Sequence, residues 1–142
     1  MNEDKKDITF KKVSISDAKF LFALLKEREK IVNISHIEMP TYKKHIEFIK
    51  SNPYSYWYII KYKNCKVGSI YLSRQNEIGI FVKDEFQKKQ IGNRALEKII
   101  ELTKKKRYLA NINPKNKDSI CFFKKNGFNL IQYTYELYPS RR

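Results

Sequence analysis

The stretch from Glu77 to Arg94, EIGIFVKDEFQKKQIGNR, constrains the fold more than any other. Glu77 to Val82 is a β-prone run of apolar and aromatic residues. A polar loop, Gln87-Lys88-Lys89-Gln90-Ile91-Gly92, follows at once, and from there Ile91, Ala95, Leu96, Ile99, Ile100 and Leu102 recur at helical spacing. The chain must therefore pass from strand through loop into an amphipathic helix. A helix start leaves four backbone N–H groups unpaired and carries about half a positive charge, so a loop wrapped there offers a socket for a pyrophosphate. Lys88, Lys89 and Arg94 add positive charge. The same residues equally fit a solvated basic loop that happens to precede a helix.

On either side the pattern alternates between the two periodicities. Ile8 to Val13 reads as a strand, Ser14 or Ser16 can cap a helix, and Ala18, Leu21, Phe22, Leu24 and Leu25 form the apolar face of that helix as far as Arg28 to Lys30. Residues 31–40 are irregular. A short second helix runs from Pro40-Thr41 to Asn52-Pro53. Tyr54 to Tyr62 and Val67 to Ser73, joined by a turn at Asn64-Cys65-Lys66, predict an antiparallel hairpin. After the central helix come a strand at 108–112, a helix capped by Asn116 or Asp118 and closed at Asn126-Gly127, and a last strand from Phe128 to Leu137. The order β-α-α-β-β-β-α-β-α-β defines an α/β (α+β) domain with an antiparallel front and a strand-helix-strand crossover behind.

At 142 residues the chain is one domain's worth, spanning 1–142 with flexible ends at 1–7 and 139–142. It has no apolar run near the ~18 residues of a spanning helix, and its N-terminus has no signal-peptide pattern. Two distant cysteines, Cys65 and Cys121, encode neither a disulfide framework nor a zinc site, which fits a reducing cytoplasm. No metal is expected. Cys121, between Ile120 and Phe122, reads as packed rather than nucleophilic.

The charge needs separate weighing. Thirty Lys and Arg against 15 Asp and Glu leave +15, which invites a basic nucleic-acid-binding reading. Yet 24 of the thirty are Lys, whereas Arg is the residue suited to base edges, and no recognition helix, RNP-type motif or zinc spacing is present. An anionic small-molecule partner and plain codon bias explain the charge as well.

Two motifs carry a resemblance. Gln87 and Gly92 match the first and last positions of the Gln/Arg-x-x-Gly-x-Gly/Ala loop of GNAT acetyltransferases, with Gln90 where the middle glycine is usual. Downstream, Asn116-x-x-Ser119-x-x-x-Phe123-x-x-x-Gly127-Phe128 is similar to that family's Asn-x-x-Ala-x-x-x-Tyr-x-x-x-Gly-Phe. The chain thus resembles acetyl-CoA-dependent N-acetyltransferases. The resemblance implies a mixed, mainly antiparallel twisted sheet of about six strands flanked by four helices, with a V-shaped opening between two central parallel strands where acetyl-CoA lies. Phe81 and Val82 would bond the pantetheine arm, amides from Gln87 through Lys88, Lys89, Gln90, Ile91 and Gly92 to Asn93 would hold the pyrophosphate with Arg94 nearby, and Asn116 and Phe123 would line the cofactor's pantetheine side.

The chemistry of an amine and a thioester then assigns further roles. An ammonium cannot attack, so a base must take a proton, and the resulting oxyanion needs a donor such as a backbone N–H of the strand at 80–82. Glu77, at the start of that strand, is the candidate catalytic base. It could equally be an ordinary strand-end glutamate. Phe123 stands where the family usually has the tyrosine that protonates the thiolate, so water, Tyr133 or Tyr135 must do so, or the domain binds CoA without efficient turnover. Acceptor-binding candidates are Arg28, Glu29, His36 and Tyr42, with Glu38 and His45 close by; His45, on the apolar side of its helix, reads better as structural. Their pattern resembles GNAT members that acetylate amino sugars on nucleotides, and a protein or peptide amine is the alternative acceptor. The expected partners are acetyl-CoA and a small amine, in a monomer or homodimer without membrane.

Overall fold

The computed structural model describes residues 7–28 and 39–141, and the side chains of Lys88, Lys89 and Arg141 fall outside that description. Four strands, β1 (Ile8–Lys12), β2 (Tyr56–Tyr62), β3 (Cys65–Leu72) and β4 (Ile78–Val82), form one sheet in chain order. Every neighbouring pair is antiparallel. Four helices flank it: α1 (Ala18–Arg28), α2 (Tyr42–Lys50), α3 (Ile91–Thr103) and α4 (Lys117–Lys125). Short 3-10 turns at Ile15–Asp17, Asp84–Lys89 and Pro139–Arg141 complete the elements among the described residues. None of the described helices is long and apolar enough to cross a membrane.

Both faces of the sheet are covered, which is why adjacent β2 residues Ile59 and Ile60 are both fully buried. Ile59 faces α1 and α2, packing with Ala18, Leu21, Leu24 and Ile49. Ile60 faces α3, packing with Ile70, Leu72, Ile78, Ile91, Ala95 and Ile99. The period of two in the strands meets the 3.6-residue period of the helices on both sides, as the sequence pattern requires.

A buried carboxylate ties α1 to the sheet. Asp17, fully buried, accepts hydrogen bonds from Lys11 Nζ (2.6 Å), Lys66 Nζ (2.7 Å) and the Ser14 N–H (3.0 Å). Burial alone would push its pKa up, but these bonds outweigh it and the carboxyl lies below its ordinary range. The turn entering α1 is thereby fixed to both β1 and β3.

The strand count differs from the sequence expectation of about six. Residues 108–112 make only a parallel bridge, Leu109 to Glu77, and 128–137 form no strand. A strand exists only where a neighbour takes its hydrogen bonds, and neither segment has a continuous partner among the described residues. Cys121 is exposed, contrary to the packed position its apolar neighbours suggest, because Ile120 and Phe122 alone do not fix which helix face it takes.

Candidate active site

The opening is made by hydrogen bonds that stop. The Ile78 N–H donates to Leu109 O (2.7 Å) and the Leu109 N–H to Asn76 O (2.9 Å), locking the segment after α3 parallel to the base of β4. Beyond this base, no backbone bond joins 79–82 to 110–113 among the described residues. The two chains part, leaving the β4 edge open.

Alternation decides which β4 residues face the gap. Ser73 N–H bonds to Glu77 O and Lys83 N–H to Val67 O, so 77, 79, 81 and 83 direct their backbone groups to β3. Ile80 and Val82 direct theirs into the opening. Of the two residues expected at the pantetheine arm, Val82 turns its backbone N–H toward the opening, while the backbone of Phe81 is committed to the β3 ladder opposite Ser69, and Ile80 is the other β4 residue whose backbone faces the gap. Periodicity within one strand cannot say which edge is free, since that depends on the partner's register.

Past β4 the loop folds back on itself. Gln87 Nε2 donates to Val82 O (2.9 Å) and to Asp84 Oδ1 (3.2 Å), pinning the loop to the strand end. Gln90 takes the left-handed conformation, φ 63°, that starts α3, so it adopts the backbone usually given to glycine there. No side chain caps the first turn of α3, because Gln90 Oε1 instead accepts from Asn93 Nδ2 (2.9 Å). The helix start thus keeps amide donors available to an anion. A Cβ on Gly92 would come within 3.1 Å of the Phe122 ring, so this glycine lets α4 pack against α3.

Arg94 is placed elsewhere. Its guanidinium lies 3.8 Å from Glu97 and lines a crevice with Ile8, Lys98 and Glu101, at the β1 side of the sheet and away from the opening. Helical spacing turns a residue three positions past Ile91 off the loop's mouth. Asn116 is buried and caps α4, its Oδ1 accepting from the Ser119 N–H (3.2 Å) and its Nδ2 donating to Ser119 Oγ (2.8 Å). Phe123 is buried edge-on between Phe122 (5.1 Å) and Phe128 (5.0 Å).

Glu77 sits at the foot of the opening. Its Oε1 accepts from Ser73 Oγ (3.1 Å) and its Oε2 from Asn111 Nδ2 (2.9 Å), so it spans from β3 to the diverging segment. On the same face, Tyr71 stacks on Tyr54 with centroids 3.8 Å apart, and its ring occupies the space where Gly79 lacks a side chain. Burial raises the pKa of both phenols, and Arg28 and Glu77 both act electrostatically on them. Arg28, at the end of α1, lies 5.8 Å over the Phe81 ring with its Nε buried and unpartnered. Sequence reasoning missed Tyr71 and Asn111. The available signal was Gly79 inside an otherwise bulky strand, which marks a close approach.

Tyr42 is exposed and meets Phe22 edge-on at 5.2 Å, beside His45. His45 itself is buried against Phe22, and burial lowers its pKa despite a bond to the Ala18 backbone, consistent with the structural reading. Glu29, His36 and Glu38 lie outside the described residues.

Comparison with known proteins agrees with this geometry. The model of the acetyltransferase (GNAT) family matches residues 20–128. A domain from Methanocaldococcus jannaschii DSM 2661 shares the fold at TM-score 0.77, with 24% identity over 91% of this chain and 92% of that one. The microcin C7 self-immunity acetyltransferase MccE, in complex with acetyl-CoA and AMP, is similar at TM-score 0.65, with 20% identity over 86% and 78%. A ribosomal-protein-alanine N-acetyltransferase from Brucella melitensis is similar at TM-score 0.69, with 17% identity over 85% and 84%. No curated protein sequence matches this one.

An antiparallel sheet that parts from the following segment beside its fourth strand, then a loop and an uncapped helix, is compatible with an acyltransferase that takes its acyl group from CoA. The chain belongs to the GNAT family of acetyltransferases, with acetyl-CoA as its donor.

Proposed function

We propose that the protein transfers an acetyl group to a primary amine by direct attack in a ternary complex, with Glu77 as the base. The observation that carries this reading is the position of the Glu77 carboxylate, held by Ser73 and Asn111 at the foot of the opening. The open backbone groups of Ile80, the Val82 N–H and the uncapped start of α3 fit a pantetheine arm and a pyrophosphate. In this reading Ile80 and Val82 bind the arm, and the amides from Gln87 to Asn93 hold the pyrophosphate. Lys88 and Lys89 add point charges, and Asn116 and Phe123 line the far side.

Acetyl-CoA supplies the activated carbonyl. The protein's task is to strip a proton from the incoming ammonium, which Glu77 can accept, and to offer the Ile80 N–H to the carbonyl oxygen as it gains charge. Phe123 has no O–H, so water inside the opening supplies the proton that the departing sulfur needs.

For the acceptor we infer an amino sugar carried on a nucleotide, with Arg28, Tyr42, Glu29 and His36 as its binding residues. The unpartnered Arg28 Nε and the +15 chain favour an anionic acceptor, and one structural neighbour is described with AMP. A protein amine is the second reading, favoured by the ribosomal-protein acetyltransferase among the neighbours. An acceptor panel of nucleotide-linked amino sugars and peptide N-termini, read by thiol release from acetyl-CoA, separates them. Turnover confined to peptides would overturn the sugar reading, and thiol release with no amine in the panel would overturn the transfer reading.

A further inference from the structure

Residues 128–138 read FNLIQYTYELY. Ile131, Tyr133, Tyr135 and Leu137 alternate with Gln132, Thr134 and Glu136, the period of a strand with one apolar face. That face is bare: the four residues are 61%, 76%, 89% and 64% exposed. The segment is firmly rooted, because the Phe128 N–H donates to Phe123 O (2.9 Å) and the two rings pack. From 129 to 137 no backbone hydrogen bond is made among the described residues.

A complementary edge exists in the same chain. Leu109 spends its N–H and C=O on the β4 side, so alternation turns those of Ala110 and Ile112 outward, and neither is bonded among the described residues. Open edges in monomeric proteins are usually guarded by lysine. Here a chain with 24 lysines places none between 128 and 138, whose single charge is Glu136. The 108–113 edge is bounded by Lys104 to Arg107 before it and Lys115 and Lys117 after it, all exposed, so Glu136 meets cations whichever way a strand runs along it.

We propose that the two features meet across a two-fold axis, the 129–137 arm of each copy adding as a strand to the 110–112 edge of a second copy. The exchange gives the outward groups of Ala110 and Ile112 partners on the facing part of the arm in both copies at once, as an isologous contact must. It also clamps Asn111, between Ala110 and Ile112, which holds Glu77. This proposal is independent of the acceptor and of the base.

Light scattering on the full chain across a dilution series should give twice the 17.1 kDa chain mass at high concentration. Hydrogen exchange of the same samples should show alternate amides within 130–136, those facing the edge, and the amides of Ala110 and Ile112 slowed in the dimer and fast after dilution. A Tyr133→Asp, Tyr135→Asp variant should be monomeric with unchanged far-ultraviolet dichroism. A monomer at every concentration overturns the proposal, as does a dimer that survives the double substitution. Should that variant fail to fold, unprotected arm amides in the wild-type dimer overturn it equally.

Discussion

Glu77 and Asn111 are joined by a 2.9 Å hydrogen bond across the point where β4 and the following parallel segment part. The residues are 34 positions apart, and α3 lies between them. The bond therefore converts the packing of that helix into the position of one carboxylate. Asn111→Leu, which keeps side-chain size but removes the donor, should lower kcat by roughly tenfold to a hundredfold, the scale expected when a reacting group is misplaced by about an ångström. Thermal stability should change little, because Asn111 is exposed.

Gly79 makes room for the Tyr71 ring, whose nearest atom lies 2.1 Å from where a Cβ would be. Gly79→Ala must displace that ring and its stack with Tyr54. The variant should lose about 1–3 kcal/mol of stability, the range for overpacking, in chemical denaturation. Its KM for the amine should rise while acetyl-CoA binding by calorimetry stays intact.

Gln90 holds φ 63° at the start of α3 without glycine's freedom. A left-handed residue costs an L-amino acid roughly 1–2 kcal/mol, which Gln90→Gly would relieve while adding unfolded-state entropy of about 0.5–1 kcal/mol. The glycine variant should stay near the parent in stability. Gln90→Val, β-branched and poorly tolerated there, should be clearly less stable and bind acetyl-CoA more weakly.

Acid should destabilise the fold in two stages. The His45 pKa is lowered by burial below its ordinary 6.5, so its contribution is complete above 6.5 and is lost as pH falls below it, when the unfolded chain binds the extra proton. Asp17 is likewise held below 3.8, so its contribution is present above 3.8 and is lost as pH falls through the lowered folded value. Thermal melts against pH should show the first loss abolished by His45→Phe and the second by Asp17→Asn. The second variant should itself cost about 1–3 kcal/mol at neutral pH, the scale of hydrogen bonds to a charged group.

The elements most legible in the sequence were those whose periodicity is local. The apolar face of α3, the hairpin of β2 and β3 and the caps at Thr41 and Asn116 follow from residues within a turn or two of each other. What depended on register was less accessible. Phe81 and Ile80 look interchangeable as backbone donors until the β3 ladder assigns Phe81 to Ser69, and Arg94 looks like a loop cation until helical rotation carries it toward Ile8. The strand pattern of 128–137 was legible, but the segment has no partner among the described residues, because pattern specifies a strand's faces and says nothing of what pairs with its edge. The family motifs brought Glu77 and the α3 loop together, whereas Asn111 and Tyr71 came only from contacts across the fold.

The account turns on Glu77 acting as a base rather than as a strand-end glutamate bonded to Ser73 and Asn111. The direct measurement is the acetyl-transfer rate of Glu77→Gln against the parent across pH, with acetyl-CoA affinity measured on both. The account predicts unchanged acetyl-CoA affinity and a fall in kcat/KM of about 10²- to 10⁴-fold at neutral pH, the scale of a lost general base, partly recovered at alkaline pH where the amine deprotonates unaided. An undiminished rate at neutral pH with normal folding would contradict it.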